Sequence, residues 1–466
     1  MARRRLHILG VCGTAMAAVA TLARQLGWHI TGSDAHVYPP MSDYLRNLGI
    51  PVQPYSAANL DQDVDLVVIG NALSRGNAEV EAVLARGLRY TSGAQFIGDH
   101  VLPGRHAVVV AGTHGKTTTS SLVAWLLERA GRSPGFMIGG LPNNFAAGAR
   151  LGEGETFVLE GDEYDTAFFD KRSKFLHYHA RTLILNNLEF DHADIFPDLE
   201  AIKQQFHFLL RTVPGNGRVV VNLDDAEIGD VLRRGCWSPV IGFARHGGRD
   251  APWQWRPEHA DGSAFRLYHQ GKEAIRVRWP MLGVHHVANA AAAAAAVHAL
   301  GLSYEEIARG LASFAGVKRR MSLVGEARGV RVFDDFAHHP TAIRGVVEAA
   351  RVANGGRGRL WVVVEPRSNT MRTRVHQDAL PASLEAADRV LIVPPAARGL
   401  SPDQLLDVAR VCRRIGEHAH VCSDSHAVIE AICAEACAGD DVLILSNGGF
   451  DGIHQRLLDA LDACTD

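Results

Sequence analysis

The chain has 466 residues, of which 47% are hydrophobic and 21% are charged, and its formal net charge at pH 7 is −3. At roughly 100–200 residues per domain, this length predicts two to four domains. The near-neutral charge excludes the long-range field that would attract nucleic acid or a membrane surface, and we expect no secretory signal or membrane span. The seven cysteines form no CxxC pair, which indicates reduced thiols and a cytoplasmic protein.

The first segment, residues 1–104, opens with a pattern typical of a Rossmann-like unit. A predicted strand at 6–9 runs into the turn Gly10-Val11-Cys12-Gly13, which an apolar helix at 16–26 and a strand at 29–31 follow. Asp34 follows Gly10 by 24 residues, where such a unit binds ribose. The turn lacks the GxGxxG pattern, so a dehydrogenase is disfavoured, while a nucleotide-type ligand remains reasonable. Residues 100–105 are predicted to be a linker.

The second segment, residues 105–320, alternates predicted strands and helices. The strands lie at 107–111, 157–160 and 182–185, and the helices lie at 117–130 and in the alanine-rich run 288–300. This alternation predicts a mostly parallel sheet with helices on both faces.

A loop typical of phosphate binding joins the first strand and the first helix of this segment. It reads Gly112-Thr113-His114-Gly115-Lys116-Thr117-Thr118. Backbone N–H groups and the start of a helix favour an anion there, Lys116 can reach the β- and γ-phosphates, and Thr117 can bind Mg²⁺. The first glycine of the usual GxxxxGK[ST] pattern would be residue 110, which is valine, so the loop is a variant.

Acidic and histidine residues follow the next two predicted strands. Glu160-Gly161-Asp162-Glu163-Tyr164-Asp165 ends one strand, and Asp191-His192 comes shortly after the other. Because the carboxyl ends of parallel strands lie on the ligand side of a sheet, we interpret the acidic run as a source of Mg²⁺ ligands and His192 as a candidate ligand for a second metal ion. Arg319-Arg320 ends the segment, and there it could offset charge on a transferring phosphoryl group. The alternatives are a solvated acidic loop and a solvated basic linker.

The third segment, residues 321–466, is again predicted to be α/β. Its strands are expected at 330–333, 360–364, 389–393 and 441–445.

Seven motifs, in this order along the chain, resemble those of the Mur ligases, the amide-forming enzymes of peptidoglycan precursor synthesis. They are Gly10-x-x-Gly13, the loop 112–118, Glu160, Asp191-His192, Gly283-x-His285-x-x-x-Asn289, Arg319-Arg320 and Asp334-Asp335-x-x-His338-His339-Pro340. The resemblance implies a three-domain α/β architecture, in which a Rossmann-like N-terminal domain, a central P-loop ATPase domain and a C-terminal Rossmann-like domain cover residues 1–104, 105–320 and 321–466.

Two branches of that family are candidates for this chain. The run 334–340 is similar to the branch that adds L-alanine to UDP-N-acetylmuramate. Three other runs are more similar to the recycling branch, which adds L-alanyl-γ-D-glutamyl-meso-diaminopimelate, and they favour that branch. They are 170–175, 365–371 and 446–450. A folate polyglutamate ligase is disfavoured by the Gly10 turn and Asp34. An alternative of another class is a non-catalytic nucleotide-dependent binding protein, which the intact Lys116 and Glu160 disfavour.

The resemblance also implies the ligands and the site residues. The substrates would be ATP with Mg²⁺, UDP-N-acetylmuramate and a murein stem tripeptide, without nucleic acid or membrane, in a monomer or weak homodimer. The predicted residues are Lys116, Glu160, His192 and Arg320 for catalysis; the loop 112–118, Asn289, Arg320 and Asp335 for ATP; Gly13 and Asp34 for the UDP-sugar; His338, Arg367, Asn369 and Ser446 for the peptide; and, for metal, Thr117 and Glu160 for one Mg²⁺ and His192 for a second.

Two positions depart from the family pattern. His286 stands where an asparagine is common in the adenine motif, which leaves its contact open. Some relatives carry a carbamylated lysine about fifteen residues after the metal histidine, but this position is His207, so we predict no carbamylation.

Overall fold

A computed structural model describes residues 4–37, 41–61 and 63–463. Cys464 and the two predicted outer domain limits, residues 1 and 466, lie outside these residues. Within them, no helix is both long enough and apolar enough to cross a membrane.

The first unit is built around a parallel sheet in the order β3-β2-β1-β4-β5. Its strands are β1 Arg5–Leu9, β2 His29–Ser33, β3 Val52–Gln53, β4 Leu66–Ile69 and β5 Tyr90–Ser92, and its helices are α1 Thr14–Gln25, α2 Met41–Asn47, α3 Ala78–Ala85 and α4 Gly93–Phe96. The predicted strands at 6–9 and 29–31 are confirmed. The prediction of a linker over 100–105 is partly wrong, since the chain stays helical over Ile97–Val101 before it reaches the next strand at His106.

A buried carboxylate ties this unit together. Glu79 is fully buried on α3, and its oxygens accept hydrogen bonds from His7 Nε2 at 3.3 Å, Ser33 Oγ at 2.5 Å and Ser56 N at 3.0 Å. Burial alone raises the pKa of Glu79, but the hydrogen bonds from His7, Ser33 and their neighbours outweigh it, so its pKa is lowered. The network therefore fixes the end of β2, directly before Asp34.

Glu79→Gln is expected to destabilise the protein in a pH-dependent way. Because the folded-state pKa of Glu79 is lowered, the ionised carboxylate adds to the free energy of unfolding. This contribution is complete above the unfolded pKa of about 4.3 and is lost as pH falls through the folded pKa. The difference in unfolding free energy from the wild type should thus be largest near neutral pH and narrow in acid. Chemical denaturation across pH measures it, with Glu430→Gln as an exposed control. A pH-independent difference would contradict this prediction.

The central unit carries the longest sheet, in the order β17-β16-β15-β14-β13-β12-β6-β9-β7-β8. The strands of this unit are β6 His106–Ala111, β7 Gly135–Met137, β8 Ala149–Arg150, β9 Thr156–Gly161, β12 Thr182–Leu185, β13 Arg218–Asn222, β14 Val240–Arg245, β15 Trp253–Pro257, β16 Ala264–His269 and β17 Lys272–Arg278, with a separate hairpin of β10 Asp165–Ala167 and β11 Asp170–Ser173. Its helices are α5 Lys116–Arg129, α6 Leu199–Thr212, α7 Ala226–Arg233, α8 Val284–Ala299 and α9 Tyr304–Ala312.

Both faces of this sheet are covered by helices, as predicted. On β6, Val109 packs into the core that contains α6, whereas Val108 and Val110 pack into the core that contains α5 and α8. This alternation is the two-residue period of a strand that is buried on both faces. Seven consecutive alanines at 290–296 are fully buried on α8, and their small side chains let α8 pack closely on α5.

The third unit has a sheet in the order β18-β19-β23-β20-β21-β22, which is parallel except for the edge strand β18. Its strands are β18 Ser322–Ala327, β19 Val330–Asp335, β20 Leu360–Val364, β21 Arg389–Ile392, β22 Ala419–Val421 and β23 Asp441–Leu445, and its helices are α10 Pro340–Asn354, α11 Val408–Ile415, α12 Ser425–Glu435 and α13 Ile453–Ala463. The predicted α/β class is confirmed. The domain limits at 104/105 and 320/321 stay predictions.

Candidate active site

The loop 112–118 has the backbone shape of a phosphate-binding turn. It leaves β6 at Ala111 and enters α5 at Lys116. Gly115 has a φ of +78°, and a Cβ there would lie 2.5 Å from the Asn289 Oδ1, so only glycine fits. The free N–H groups at the start of α5 then face the space in front of the loop, where they favour an anion.

That space is a cavity of about 490 Å³ at the meeting point of the three units. The first unit contributes the first turns of α1, the central unit contributes residues 113–118 and the strand ends around Glu160 and His192, and the third unit contributes residues 335–342. Carboxyl ends of the central parallel strands thus open onto a chamber of the size of a small-molecule ligand site.

Lys116 is partly buried at the wall of this chamber, with 14% of its side chain exposed, and is bound to a carboxylate. Its Nζ lies 2.9 Å from Glu163 Oε2 and donates to the Gly112 carbonyl at 2.7 Å. Burial alone lowers the pKa of Lys116, but the carboxylates of Glu163, Asp162 and Glu160 outweigh it, so its pKa is raised. The loop therefore presents a full positive charge to a phosphate.

Glu163 connects this lysine to His192, and the sequence had not singled it out. Its Oε1 lies 2.9 Å from His192 Nε2, and its side chain is only 3% exposed. Burial alone raises the pKa of Glu163, but Lys116 and His192 outweigh it and lower that pKa. The signal that could have found it is its place in the acidic run, three residues after Glu160.

Thr117 and Glu160 form a second polar pair beside the loop. The Thr117 hydroxyl donates to Glu160 Oε1 at 2.8 Å, and the other Glu160 oxygen accepts from Gly139 N at 2.8 Å. Hydroxyl and carboxylate oxygens are the ligands that Mg²⁺ prefers, and both residues line the cavity with His192. The donor set therefore fits a magnesium ion.

The arginine pair at 319–320 divides between two units. Arg320 reaches the central unit, where its Nη2 lies 3.5 Å from Thr117 Oγ1. Arg319 turns to the third unit, where it pairs with Asp334 at 2.9 Å and donates to the Ser446 carbonyl at 2.7 Å. Only Arg320 of the two lines the cavity.

Asp335 fixes the chain between these units. It is buried, and its two oxygens accept hydrogen bonds from Met321 N and Ala337 N, both at 2.7 Å. Burial raises the pKa of Asp335 although the nearby Arg320 opposes it. Asp335 thus shapes the turn that carries Arg320 into the cavity.

The predicted adenine contact, Asn289, lies near the start of α8, on the same helix as His285 and His286. Asn289, His285 and His286 all line the cavity. His286 is 3% exposed, and its Nδ1 has no hydrogen-bond partner among the described residues. Burial, together with His285, holds the pKa of His286 well below its usual range. The ring that His286 presents to the cavity is therefore neutral.

The predicted UDP-sugar residues do not line this cavity. Gly13 is the N-cap of α1. Asp34 accepts hydrogen bonds from Cys12 N at 2.9 Å and from His36 N at 3.0 Å, so its carboxylate fixes the glycine turn. Their roles stay predictions.

Of the predicted peptide residues, only His338 lines the cavity. Arg367 is 39% exposed and lies 3.6 Å from Glu365 Oε1, whose other oxygen accepts from the buried Ser446 hydroxyl. Asn369 donates to Asp194 of the central unit at 2.7 Å. Asn369 thus contacts the central unit, whereas Arg367 and Ser446 share Glu365 within the third unit, and none of the three lines the chamber.

The basic run at 171–174 separates into surface and cavity residues. Lys171 and Arg172 are 71% and 63% exposed and pair with Asp165 and Asp170. Lys174 is only 17% exposed, binds Asp162 at 2.6 Å and lines the cavity. Lys174 alone of this run adds positive charge to the chamber.

Comparisons with known proteins agree with this architecture. Three family models match the chain, "Mur ligase family, catalytic domain" over residues 5–103, "Mur ligase middle domain" over 110–297 and "Mur ligase, glutamate ligase domain" over 319–448. The UDP-N-acetylmuramate–L-alanyl-γ-D-glutamyl-meso-2,6-diaminoheptandioate ligase of Escherichia coli (strain K12) is 48% identical over 98% of this chain and 98% of its own.

Two further matches bear on the branch. A solved murein peptide ligase from Psychrobacter arcticus has a TM-score of 0.76 at 42% identity, over 99% of this chain and 100% of its own. A UDP-N-acetylmuramate–L-alanine ligase from Rhizobium etli is 34% identical over 95% of this chain and 94% of its own.

Proposed function

Because the chain belongs to the Mur ligase family, whose members are ATP-dependent amide-forming ligases, we propose that it joins UDP-N-acetylmuramate to L-alanyl-γ-D-glutamyl-meso-diaminopimelate. The observation that carries this proposal is the 48% identity to a relative named for that reaction, against 34% for an L-alanine ligase, over similar shares of the chain. The enzyme would act in the cytoplasm, in peptidoglycan recycling.

The proposed reaction begins with activation of a carboxylate. The lactyl carboxylate of UDP-N-acetylmuramate attacks the γ-phosphorus of ATP, which gives an acyl phosphate and releases ADP. At about 4 Å and an effective dielectric constant of ~20, each pair of unit charges of these two anions repels by about 4 kcal/mol. Lys116, held charged by its carboxylate neighbours, and Arg320 would offset this repulsion.

We propose that Thr117 and Glu160 hold one Mg²⁺ and that His192 helps to hold a second. When bound, the ions would supply positive charge to the phosphate oxygens. The chain's own contribution is to hold these donors in place, by the bond of Gly139 N to Glu160 at 2.8 Å and by that of Glu163 to His192 at 2.9 Å.

The second step is attack on the acyl phosphate by the free amine of the peptide. The neutral amine adds to the carbonyl carbon, and inorganic phosphate leaves from the tetrahedral intermediate. Residues of all three units line the chamber, and enclosure by them would keep water from the acyl phosphate.

One assay tests the acceptor. Purified enzyme with UDP-N-acetylmuramate and ATP is offered L-alanine or the tripeptide, and ADP release is measured together with the UDP-linked product. We expect turnover with the tripeptide at least about 100-fold above that with L-alanine in kcat/KM. Preference for L-alanine would contradict the proposed branch, and ADP release that needs no UDP-sugar would contradict the ligase.

Arg367→Ala is expected to raise the KM for the tripeptide at least about tenfold and to change the KM for ATP by less than about twofold, because a guanidinium suits a peptide carboxylate and this one lies outside the ATP chamber. Arg389→Ala is the matched control, since Arg389 is also partly exposed and pairs with a glutamate. It lies on β21, next to the strand β20 that precedes Arg367. Steady-state kinetics with each substrate varied measures both constants. Equal effects on the two KM values would rule out this role.

A further inference from the structure

A second cluster of metal-ligating side chains lies at the edge of the chamber, apart from the proposed magnesium ligands. Its members are His114 of the phosphate loop, Glu189 after β12 and His339 at the N-cap of α10. One ligand atom from each lies within 4.8 Å of the other two. Glu189 Oε2 is 3.0 Å from His114 Nε2 and 3.3 Å from His339 Nδ1.

The hydrogen bonds of His339 define which of its ring nitrogens carries the proton and which carries the lone pair. Its Nε2 lies 3.3 Å from the Phe190 carbonyl, which can only accept, so Nε2 carries the proton. Its Nδ1 accepts the N–H of Thr341 at 3.3 Å and therefore bears a lone pair.

Two acceptors consequently face each other across this cluster. The Nδ1 lone pair of His339 and a carboxylate oxygen of Glu189 are 3.3 Å apart, and neither has a hydrogen to offer the other. One cation between them could contact both atoms, in place of the Thr341 N–H on His339 and of the His114 ring on Glu189. His114 Nε2 points at the same oxygen and completes a set of three donors.

We infer that His114, Glu189 and His339 form a binding site for a divalent transition-metal ion of the zinc and cobalt class. Two imidazole nitrogens with one carboxylate suit these ions, whereas Mg²⁺ prefers oxygen ligands. Three protein ligands at about 2.0–2.2 Å, with water as the fourth, is a usual arrangement for zinc. His114 and His339 line the cavity, which gives the ion a path to the site.

The surrounding contacts support the ligands as a metal site requires. The Thr113 hydroxyl accepts from Glu189 N at 2.8 Å and lies 3.2 Å from the Glu189 carbonyl, so the loop that carries Glu189 is fixed to the phosphate loop. Two ligands belong to the central unit and one to the third unit. A bound ion would therefore join the phosphate loop to the start of α10. This inference does not depend on which acceptor the enzyme uses.

Cobalt binding tests this site directly, with Co²⁺ as the probe and its visible d–d absorption as the readout. The full chain is treated with chelator, freed of nucleotide and titrated with Co²⁺ in excess Mg²⁺, which occupies the proposed magnesium ligands, and we expect one cobalt ion per chain. His339→Asn and Glu189→Gln should each weaken binding more than about tenfold. Asparagine keeps the N-cap of α10, and Glu189→Gln is nearly isosteric, so circular dichroism should show both variants folded.

Two further variants assign the absorption to this site. His426→Asn removes an exposed histidine that lies 3.3 Å from Glu430. Residues 4–37, 41–61 and 63–463 offer this pair no third ligand, so the variant should leave the titration unchanged. His192→Asn, at the proposed magnesium ligands, should also leave it unchanged. The inference is overturned if the wild type binds no cobalt, if His339→Asn keeps its affinity, or if the absorption is lost with His192→Asn.

Discussion

Lys116→Met is expected to lower kcat by about 10³-fold and to leave the protein folded. Methionine keeps the length of the side chain but removes the charge that the loop presents to the phosphates. Because Lys174, another lysine that lines the chamber, is paired with Asp162 at 2.6 Å, it does not replace Lys116, and the lost stabilisation falls on the transition state. Coupled measurement of ADP release at saturating substrates gives kcat.

The matched control for this variant is Lys171→Met. Lys171 is 71% exposed and pairs with Asp165 at 2.6 Å, outside the chamber, so kcat should stay within about twofold of the wild type. A Lys116→Met enzyme within about tenfold of the wild type would exclude Lys116 from phosphoryl transfer. Thermal unfolding of both variants separates lost chemistry from lost folding.

The phosphate loop could be predicted from the sequence because its cause is local. A buried strand, a glycine turn and a helix start are encoded within thirteen residues, and the structure places β6 and α5 there. The strands at 182–185, 360–364 and 441–445 were predicted to the residue for a similar reason: each is a short apolar run between polar residues. Helix starts were less certain, since α8 begins at Val284 instead of the predicted 288.

Pairings between distant parts of the chain could not be predicted in the same way. The sequence around the arginine pair does not predict that Arg319 contacts Asp334 while Arg320 contacts Thr117. The direction of each side chain depends on how the central and third sheets pack together. Lys174 likewise differs from Lys171 only in the packing around it. The UDP-sugar and peptide residues outside the chamber stay predictions, since their roles depend on where the substrates lie.

Glu163, which pairs with Lys116 and His192 far from it in the sequence, is the clearest case of such a pairing. Of the substitutions proposed, its removal should lower the free energy of unfolding most. Glu163→Ala leaves the buried Lys116 ammonium without its carboxylate partner, at 2.9 Å in the wild type, and His192 loses its bond as well. Removing one member of a buried pair costs about 3 kcal/mol, since the remaining charge is left in a poorly solvating interior. Urea denaturation of the ligand-free protein measures this loss, and Glu430→Gln, at an exposed pair, should change little.

The same variant separates two functions that Glu163 can serve in the ligand-free chamber. If its carboxylate occupies the position on Lys116 that a phosphate takes when ATP binds, ATP must displace it in the wild type but not in Glu163→Ala. Saturating ATP should then raise the melting temperature of the variant more than that of the wild type, because ligand binding restores the missing counter-charge. A smaller shift in the variant would mean that Glu163 stays on Lys116 while ATP binds, and that the pair acts on the phosphates as a unit.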